Sequence, residues 1–432
     1  MIVRIDRSGA VEKEVNRGIT ESLICVDMGH HMAMEYAPIN PTMNSHIGVV
    51  MMHSDQNYMG LKMAPALALH GYHVLACDSI MGGEIEKKME LLNKYMKYLR
   101  SNPNIEKIIL MGHSGGATLM TAYQAVAENG PEIFRTDEMI YKTTIREKLE
   151  PADGIMLIDA NYGNAIMSMI SLDPAVTEEG NGMKLDPKYD IFDPANGYDP
   201  AGAKYSPEFI RMYQAAQADR NKRLIDLALD RLDKISKGEG NYVDDEPFFI
   251  TAADQPKPNN RLLPEDTRLL SHTRGAYDLV HGDGSITHEQ IRCVRTPECD
   301  HSMSSTYGMG VNKNTVKGFL SSQAIRTTDD FAIGEDTVRG VVWNSSYASP
   351  IGNIEYIHVP ALFMGMTGSY EYMAAELIYE HAAKIEDKTI AFVHGATHMF
   401  FPNRDAEKTP GEFGDTEQAL YDYMAGWLER FR

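Results

Sequence analysis

The sequence has 432 residues, with 61 acidic against 41 basic side chains and a formal net charge of −20. Hydrophobic residues make up 43% and charged residues 24%, which is ordinary globular usage and argues against a collagen-like, coiled-coil or disordered chain. An acidic excess of this size disfavours a broadly basic surface for nucleic acids. We therefore predict no nucleic-acid partner.

The cysteines and the N-terminal residues bear on the compartment. The four cysteines, Cys25, Cys77, Cys293 and Cys299, are too few and too scattered for a disulfide framework or a paired zinc site. The first residues carry charges throughout and lack the apolar core of a signal peptide, and no run of about 18 uncharged apolar residues follows. We expect a cytoplasmic protein that does not engage a membrane.

The first part of the chain alternates short apolar runs with amphipathic segments, which is typical of a mostly parallel sheet flanked by helices. Apolar residues three and four positions apart predict a helix over residues 84–100. The predicted strands are residues 22–36, 47–53, 73–78, 107–113 and 154–160.

The rhythm changes over residues 161–356. A turn-rich run is followed by a predicted helix at 206–237 and by a predicted hairpin at 276–291 that turns near His281 and Gly284. No alternation of strands and helices is visible in this stretch. We interpret it as a large, mainly helical cap inserted after the sixth strand.

The alternation then returns. It predicts a strand at 361–366, a helix at 370–385, a strand at 389–394 and a last helix that begins at the capping pattern Asp415-x-x-Gln418. The predicted domains are therefore a first core part at 1–160, the inserted cap at 161–356 and a second core part at 357–432.

A serine motif lies where the fourth of these strands meets a helix. The strand at 107–113 leads into Gly112-His113-Ser114-Gly115-Gly116, and residues 117–129 read as a helix. A G-x-S-x-G turn in this context lifts a strained serine above the sheet, and only small neighbours let the backbone turn so tightly. We predict Ser114 as a nucleophile, with the Gly115 N–H at the helix N-terminus as an oxyanion donor.

These segments make the core resemble the α/β-hydrolase superfamily. The matching pieces are Val49 to His53 as the third strand, Gly112 to Gly116 as the nucleophile elbow, Val359 to Gly365 as the seventh strand and Gly395 to His398 after the eighth. The resemblance implies an α/β fold with a doubly wound, mostly parallel sheet. The inserted segment lies where that family places its cap, and we identify no subfamily.

A serine needs a base within hydrogen-bond reach. His398 follows the strand at 389–394, where the resemblance places the catalytic histidine. The sequence His394-Gly-Ala-Thr-His398 lacks the glutamate of a zinc-binding HExxH helix, so we predict no metal and no cofactor.

The acid that orients His398 has two candidates. The superfamily usually supplies it just after the seventh strand, and residues 365–370 contain no carboxylate. Glu371 is the first carboxylate beyond that strand, although it also suits the first turn of a helix capped by Ser369. Asp159 ends the sixth strand, a position that some families of this superfamily use. We weigh the two nearly evenly and place Asp159 slightly ahead, because a short buried aspartate has less freedom.

The second oxyanion donor should come from the turn after the third strand. By resemblance it is the N–H of Asp55 or of Ser54. An aspartate side chain beside a developing oxyanion is repulsive unless it turns away or is paired. Asp55 could alternatively bind a cationic or hydroxylated group of the substrate.

The leading hypothesis is a cofactor-independent serine hydrolase that cleaves an ester, lactone, amide or thioester of a small to medium organic molecule through an acyl-enzyme. A carbon–carbon bond hydrolase or an acyltransferase would use the same serine and histidine. A non-catalytic ligand receptor with this fold is the alternative from another class. The amphipathic last helix permits a homodimer without requiring one.

Overall fold

The structure, a computed structural model, describes residues 2–5, 11–14, 18–180, 184–253, 261–297 and 310–432. Cys299 lies outside the described residues. The strands are β1 (Ile2–Ile5), β2 (Val11–Glu14), β3 (Ile19–Val26), β4 (His31–Pro38), β5 (Ile47–Met51), β6 (His73–Cys77), β7 (Lys107–Ser114), β8 (Gly154–Ala160), β9 (Pro247–Thr251), β10 (His272–Val280), β11 (Ile286–Arg292), β12 (Val311–Thr315), β13 (Arg326–Ile333), β14 (Val338–Val342), β15 (Ala361–Met366) and β16 (Lys388–Val393). The helices are α1 (Met63–Leu69), α2 (Ile85–Arg100), α3 (Gly116–Asn129), α4 (Asn164–Ile170), α5 (Pro207–Ser236), α6 (Leu262–Glu265), α7 (Val316–Ser322), α8 (Pro350–Asn353), α9 (Met373–His381) and α10 (Thr416–Leu428).

A ten-stranded sheet organises the core, in the order β11-β10-β16-β15-β8-β7-β5-β6-β4-β3. From β6 to β10 every neighbouring pair is parallel. The pairs at the two ends of the sheet are antiparallel. Because the parallel strands all end at one edge, the loops that follow β5, β7, β8, β15 and β16 meet there.

The central strands are buried on both faces because helices cover both. Every residue of β5, β8 and β15 is buried, as expected of apolar runs inside a parallel sheet. Alternate side chains enter different cores: Val50 packs with residues of α2, α3 and α9, whereas Val49 packs with residues of α1 and α10.

The capping patterns act as the sequence predicts. The Asp415 carboxylate accepts a hydrogen bond from the Gln418 N–H at 3.0 Å and starts α10.

The predicted helix at 370–385 is shorter in the structure. It begins as a 3-10 turn at Tyr370–Tyr372 and continues as α9, which ends at His381.

One predicted element is wrong. The strand expected over residues 22–36 is two antiparallel strands, β3 and β4. The chain reverses through Asp27, Met28 and Gly29, which have φ values of 55°, 53° and 88°. Three left-handed residues in succession cannot continue a strand, and the Asp-Met-Gly sequence was the local signal for this turn.

The predicted hairpin is present, but its place in the fold is unexpected. β10 and β11 form it, and β10 also pairs in parallel with the last core strand, β16. Residues 272–292 therefore extend the main sheet although they lie in the range assigned to the cap. The division of the chain into core and cap otherwise stays a prediction.

The sheet order, the helices on both faces and the serine at a strand-to-helix turn give this chain the α/β-hydrolase fold. Over the residues that the structure describes, no helix combines the length and the apolar character needed to cross a membrane.

Candidate active site

Ser114 lies on a strained turn between β7 and α3. Its φ is 55°, a left-handed value that costs a non-glycine residue energy. The glycines around it allow the turn to close. A Cβ on Gly112 would lie 2.7 Å from the Ala117 nitrogen, and one on Gly116 would lie 2.8 Å from the Met52 carbonyl oxygen. The turn therefore has the backbone conformation of a nucleophile elbow.

Gly115 is the residue from which α3 starts. A Cβ at this position would lie 2.8 Å from Ser54 Oγ and 2.9 Å from Asn164 Oδ1. The turn after β5 therefore packs directly against the elbow. The N-terminal end of α3 carries the partial positive charge of the helix dipole, which suits a developing oxyanion.

His398 lies in a loop after β16 that several hydrogen bonds hold. The Gly395 N–H donates to Thr367 Oγ1 at 2.7 Å, which ties the loop to the end of β15. The Thr397 N–H donates to the Phe401 carbonyl at 2.7 Å and closes the turn around His398. His113 Nε2 lies 2.9 Å from the His398 carbonyl oxygen, and the two imidazole rings are 4.6 Å apart.

Asp159 holds the imidazole. Its Oδ2 lies 2.7 Å from His398 Nδ1, and its Oδ1 accepts the Met366 N–H at 2.8 Å. The side chain is fully buried, and its backbone has a φ of 41°. Burial raises the pKa of Asp159, and the hydrogen bond and charge of His398 oppose this without reversing it.

Glu371 faces the same nitrogen. Its Oε2 lies 3.3 Å from His398 Nδ1, and 11% of its side chain is exposed. Ser369 caps the short turn that carries it, since Ser369 Oγ accepts the Glu371 N–H at 3.1 Å. The structure thus brings both predicted acids to His398, with Asp159 closer and more buried. Which of them acts as the acid stays a prediction.

The Asp55 carboxylate forms an ion pair with Lys88. It accepts hydrogen bonds from Lys88 Nζ at 2.6 Å and from Ser54 Oγ at 2.7 Å. Burial raises the pKa of Asp55, but the charge and hydrogen bond of Lys88 outweigh it and hold that pKa below the ordinary aspartate value. The repulsion expected near an oxyanion is therefore countered by a cation.

The N–H of Asp55 is already engaged, because it donates to His53 Nδ1 at 2.9 Å. It can serve as the second oxyanion donor only if this bond is released. Ser54 packs against Gly115, and its hydroxyl donates to Asp55. The source of the second donor within this turn stays a prediction.

Sequence reasoning missed three residues of this site. Lys88 lies on the apolar face of α2, and only 1% of its side chain is exposed. Asn164 Nδ2 donates to Ser54 Oγ at 3.0 Å and lies 3.3 Å from Asp55 Oδ2. His113 bridges the Tyr58 hydroxyl, at 2.5 Å, and the His398 loop. A lysine three positions after Ile85 on a helix that packs against the sheet was the clearest available signal.

One cavity, with a volume of about 1080 Å³, contains the predicted site. Ser114, Gly115, Asp55, Glu371 and His398 all line it. Among the described residues that line it, carboxamides are frequent, methionines are few and Tyr370 is the one tyrosine. These carboxamides include Asn161, Asn312, Asn314, Gln323 and Asn403.

The two carboxylates and His398 are as close together as the ligands of a metal ion. Donor atoms of Asp159, Glu371 and His398 lie within 4.8 Å of one another, and no other such group is found in the described ranges. The hydrogen bond from His398 Nδ1 to Asp159 accounts for this spacing by itself.

No family model matches the chain, and no curated protein matches its sequence. The fold is similar to that of a hypothetical protein from Pseudomonas aeruginosa, at 13% identity and a TM-score of 0.42, over 95% of this chain and 93% of the other. An α/β hydrolase from Penicillium sp. sh18 matches at 13% identity and a TM-score of 0.40, over 95% and 98%. Esterase B from Lactobacillus rhamnosis matches at 9% identity and a TM-score of 0.42, over 97% and 90%. These likenesses are distant, and the α/β-hydrolase fold of this chain is evident in its own sheet order.

Proposed function

We propose that this protein is a serine hydrolase that cleaves an acyl bond of a small to medium organic substrate. The observation that carries the proposal is one cavity that contains Ser114, at the strained elbow, and His398, whose Nδ1 lies 2.7 Å from the buried Asp159. A strained serine and a histidine oriented by a carboxylate are what acyl transfer requires.

In the proposed reaction, Ser114 Oγ attacks the substrate carbonyl while His398 takes the serine proton. The oxyanion forms beside the Gly115 N–H at the start of α3. His398 then passes the proton to the leaving group, and the acyl group stays on Ser114. Water, deprotonated by His398, attacks the acyl-enzyme and releases the acid. Asp159 keeps the imidazole in one tautomer and stabilises its protonated form.

The test is covalent labelling with a fluorophosphonate, read by intact mass. One equivalent of label is expected on the wild type. Ser114→Ala removes the attacking atom and should abolish labelling. His398→Ala removes the base and should slow labelling by about a thousandfold. Ser236→Ala is the matched control, since that serine is on α5 and hydrogen-bonds the Asp233 carbonyl.

Each possible result of the labelling experiment has a distinct meaning. Labelling that persists in Ser114→Ala would place the reactive group elsewhere and contradict the proposal. A folded wild type that takes no label at any concentration would also contradict it. Loss of labelling in Ser236→Ala would mean that the label reports a change in overall fold rather than one serine.

A further inference from the structure

The wall of the cavity formed by β12 and the end of α7 is built from carboxamides. Asn312 and Asn314 are two positions apart on β12, so their side chains share one face. They are only 8% and 9% exposed, whereas Val311 and Lys313 on the other face are exposed. Asn312 Nδ2 donates to Gln323 Oε1 at 2.9 Å, which fixes these two side chains to each other.

Each of these side chains has one polar atom without a hydrogen-bond partner among the described residues. Among described residues, Asn314 Nδ2 and Gln323 Nε2 donate no hydrogen bond, although Asn314 Oδ1 accepts the Thr315 N–H at 2.9 Å. Asn161 shows the same pattern: its Oδ1 accepts the Gly163 N–H at 2.9 Å and its Nδ2 has no described acceptor.

Acceptors line the same cavity as these donors. Within the described ranges, Asn312 Oδ1 and Asn403 Oδ1 receive no hydrogen bond, and both residues line the cavity. None of these unpartnered amide atoms is sealed inside the protein, so a ligand that enters the cavity can bond to them. The cavity therefore presents neutral donors and neutral acceptors together.

The charged residues that line the cavity carry both signs: Asp55, Glu371 and Asp405 are acidic, and Arg295 and Lys313 are basic. Asp55 is paired with Lys88, and Glu371 lies beside His398. The Arg295 guanidinium gives hydrogen bonds to the carbonyls of Leu263, Asp266, Leu269 and Leu270. A neutral ligand is thus the simplest complement to the carboxamide wall.

We propose that the group held by this wall is neutral and carries several hydroxyls, as in an acylated sugar or another polyol. A hydroxyl donates and accepts through one atom, so neighbouring hydroxyls can satisfy the donors and the acceptors in the same place. A volume of about 1080 Å³ has room for a hexose ring and its acyl group. The inference rests on the proposed function, because it names the substrate class of the same site.

The experiment compares three acetate esters. Methyl 6-O-acetylglucopyranoside and cyclohexylmethyl acetate both join acetate to a CH₂ on a six-membered ring, and only the first has hydroxyls. N-acetyl-O-acetylserinamide offers amides instead. We expect kcat/KM for the glucoside ester to exceed that for the cyclohexyl ester by about tenfold or more, which corresponds to about 1.4 kcal/mol of discrimination.

A variant links the preference to the wall. Gln323→Leu removes the open Nε2 donor and should lower the ratio of the two kcat/KM values by about fivefold. Gln418→Leu makes the same chemical change at an exposed position of α10, where the Gln418 side chain donates to Asp422 at 2.7 Å. This control should leave the ratio unchanged. The ratio of the two kcat/KM values is used because a loss of active enzyme lowers both values equally and leaves their ratio unchanged.

Three outcomes overturn the substrate class and leave the hydrolase proposal standing. They are equal or faster cleavage of the cyclohexyl ester, faster cleavage of the amide-bearing ester, and labelling of Ser114 without cleavage of any of the three. A ratio unmoved by Gln323→Leu also contradicts the proposed wall. If Ser114 takes no label and no ester is cleaved, the proposed function itself fails.

Discussion

Two carboxylates approach one nitrogen of His398, and their distances predict unequal roles. Asp159→Asn should lower kcat/KM by about a thousandfold, because the neutral amide no longer stabilises the imidazolium and its N–H can hold His398 in the wrong tautomer. Glu371→Gln should cost less than about tenfold, since Glu371 lies 3.3 Å from Nδ1 and Asp159 at 2.7 Å remains. Steady-state kinetics on any ester that the protein turns over provides the measurement.

The two variants control each other, because each replaces a carboxylate by its own amide at nearly constant shape. A larger loss in Glu371→Gln than in Asp159→Asn would reverse the assignment and make Glu371 the acid. Thermal unfolding of both variants is needed alongside, because Asp159 also accepts the Met366 N–H.

The buried lysine supports a second prediction at the scale of one residue. Lys88→Met keeps the apolar stem and leaves Asp55 without its cation. The free energy of unfolding at pH 7 should fall by about 2 kcal/mol, less than the roughly 3–5 kcal/mol for a fully buried pair, because 38% of the Asp55 side chain is exposed. Urea unfolding measures this loss.

Its pH dependence has a definite sign. Since Lys88 holds the folded pKa of Asp55 below the ordinary value despite burial, the contribution of the pair is fully present above the ordinary aspartate pKa. This contribution to stability is lost only as the pH falls through the lowered pKa of Asp55 in the folded protein. Lys97→Met, which breaks the exposed pair with Glu147, should cost at most about 0.5 kcal/mol. Equal losses in the two variants would contradict a special role for Lys88.

Among single residues, the sequence predicts those that belong to a local motif. It does not predict those whose role depends on contacts with distant parts of the chain. The glycines around Ser114 are explained by a turn that leaves no room for a Cβ. Lys88 and Asp55 are 33 positions apart, and their contact depends on how α2 packs beside β5. No pattern along the chain encodes that distance.

Among the elements, α2 and α7 are joined through one buried acid. Glu86 on α2 accepts hydrogen bonds from Ser321 Oγ on α7 at 2.6 Å and from the Tyr347 hydroxyl at 2.5 Å. Glu86→Ala should lower the free energy of unfolding by about 2 kcal/mol, since two buried hydroxyls lose their acceptor. Chemical unfolding at constant pH measures this change.

The charge of Glu86 can be tested separately with Glu86→Gln. Burial raises the pKa of Glu86, and the bonds from Ser321 and Tyr347 oppose this only in part. With a raised folded pKa, the stabilising contribution is fully present below the ordinary glutamate pKa and is lost as the pH rises through the folded value. The glutamine variant should therefore gain stability relative to wild type as the pH rises above the ordinary glutamate pKa. A difference that stays constant with pH would contradict this.

Elements of the core were predictable because their patterns are strong. The strand at Ala361–Met366 falls within its predicted bounds, as does the one at Gly154–Ala160. The failure at residues 22–36 arose where apolar character continues on both sides of a turn. The hairpin was visible from its turn residues, but its partner strand, β16, lies about a hundred positions later. Sheet neighbours of that kind are set by packing rather than by local sequence.

For the molecule as a whole, the net charge of −20 predicts a dependence on ionic strength. An ester with an anionic acyl group, such as a hemisuccinate, should be repelled at low salt, and its kcat/KM should rise by about threefold or more between 10 mM and 500 mM sodium chloride. The acetate of the same alcohol is the neutral control and should change little. Equal responses of the two esters would show that the long-range field does not reach the site.

The fold class was predictable at this scale because alternation and a nucleophile elbow occur together in few architectures. The substrate class was not, because the cavity walls combine β12, the end of α7 and the loops after β8 and β16.

The strand order of the main sheet bears on how this protein can be recombined with others. Because β10 and β11 lie within residues 161–356, the range predicted as the cap, yet complete the sheet beside β16, this range is not a detachable module. A chimaera that replaced residues 161–356 as a block would delete two of the ten strands and leave β16 as a bare edge. Exchange with another protein would have to retain residues 272–292 and cut on either side of them.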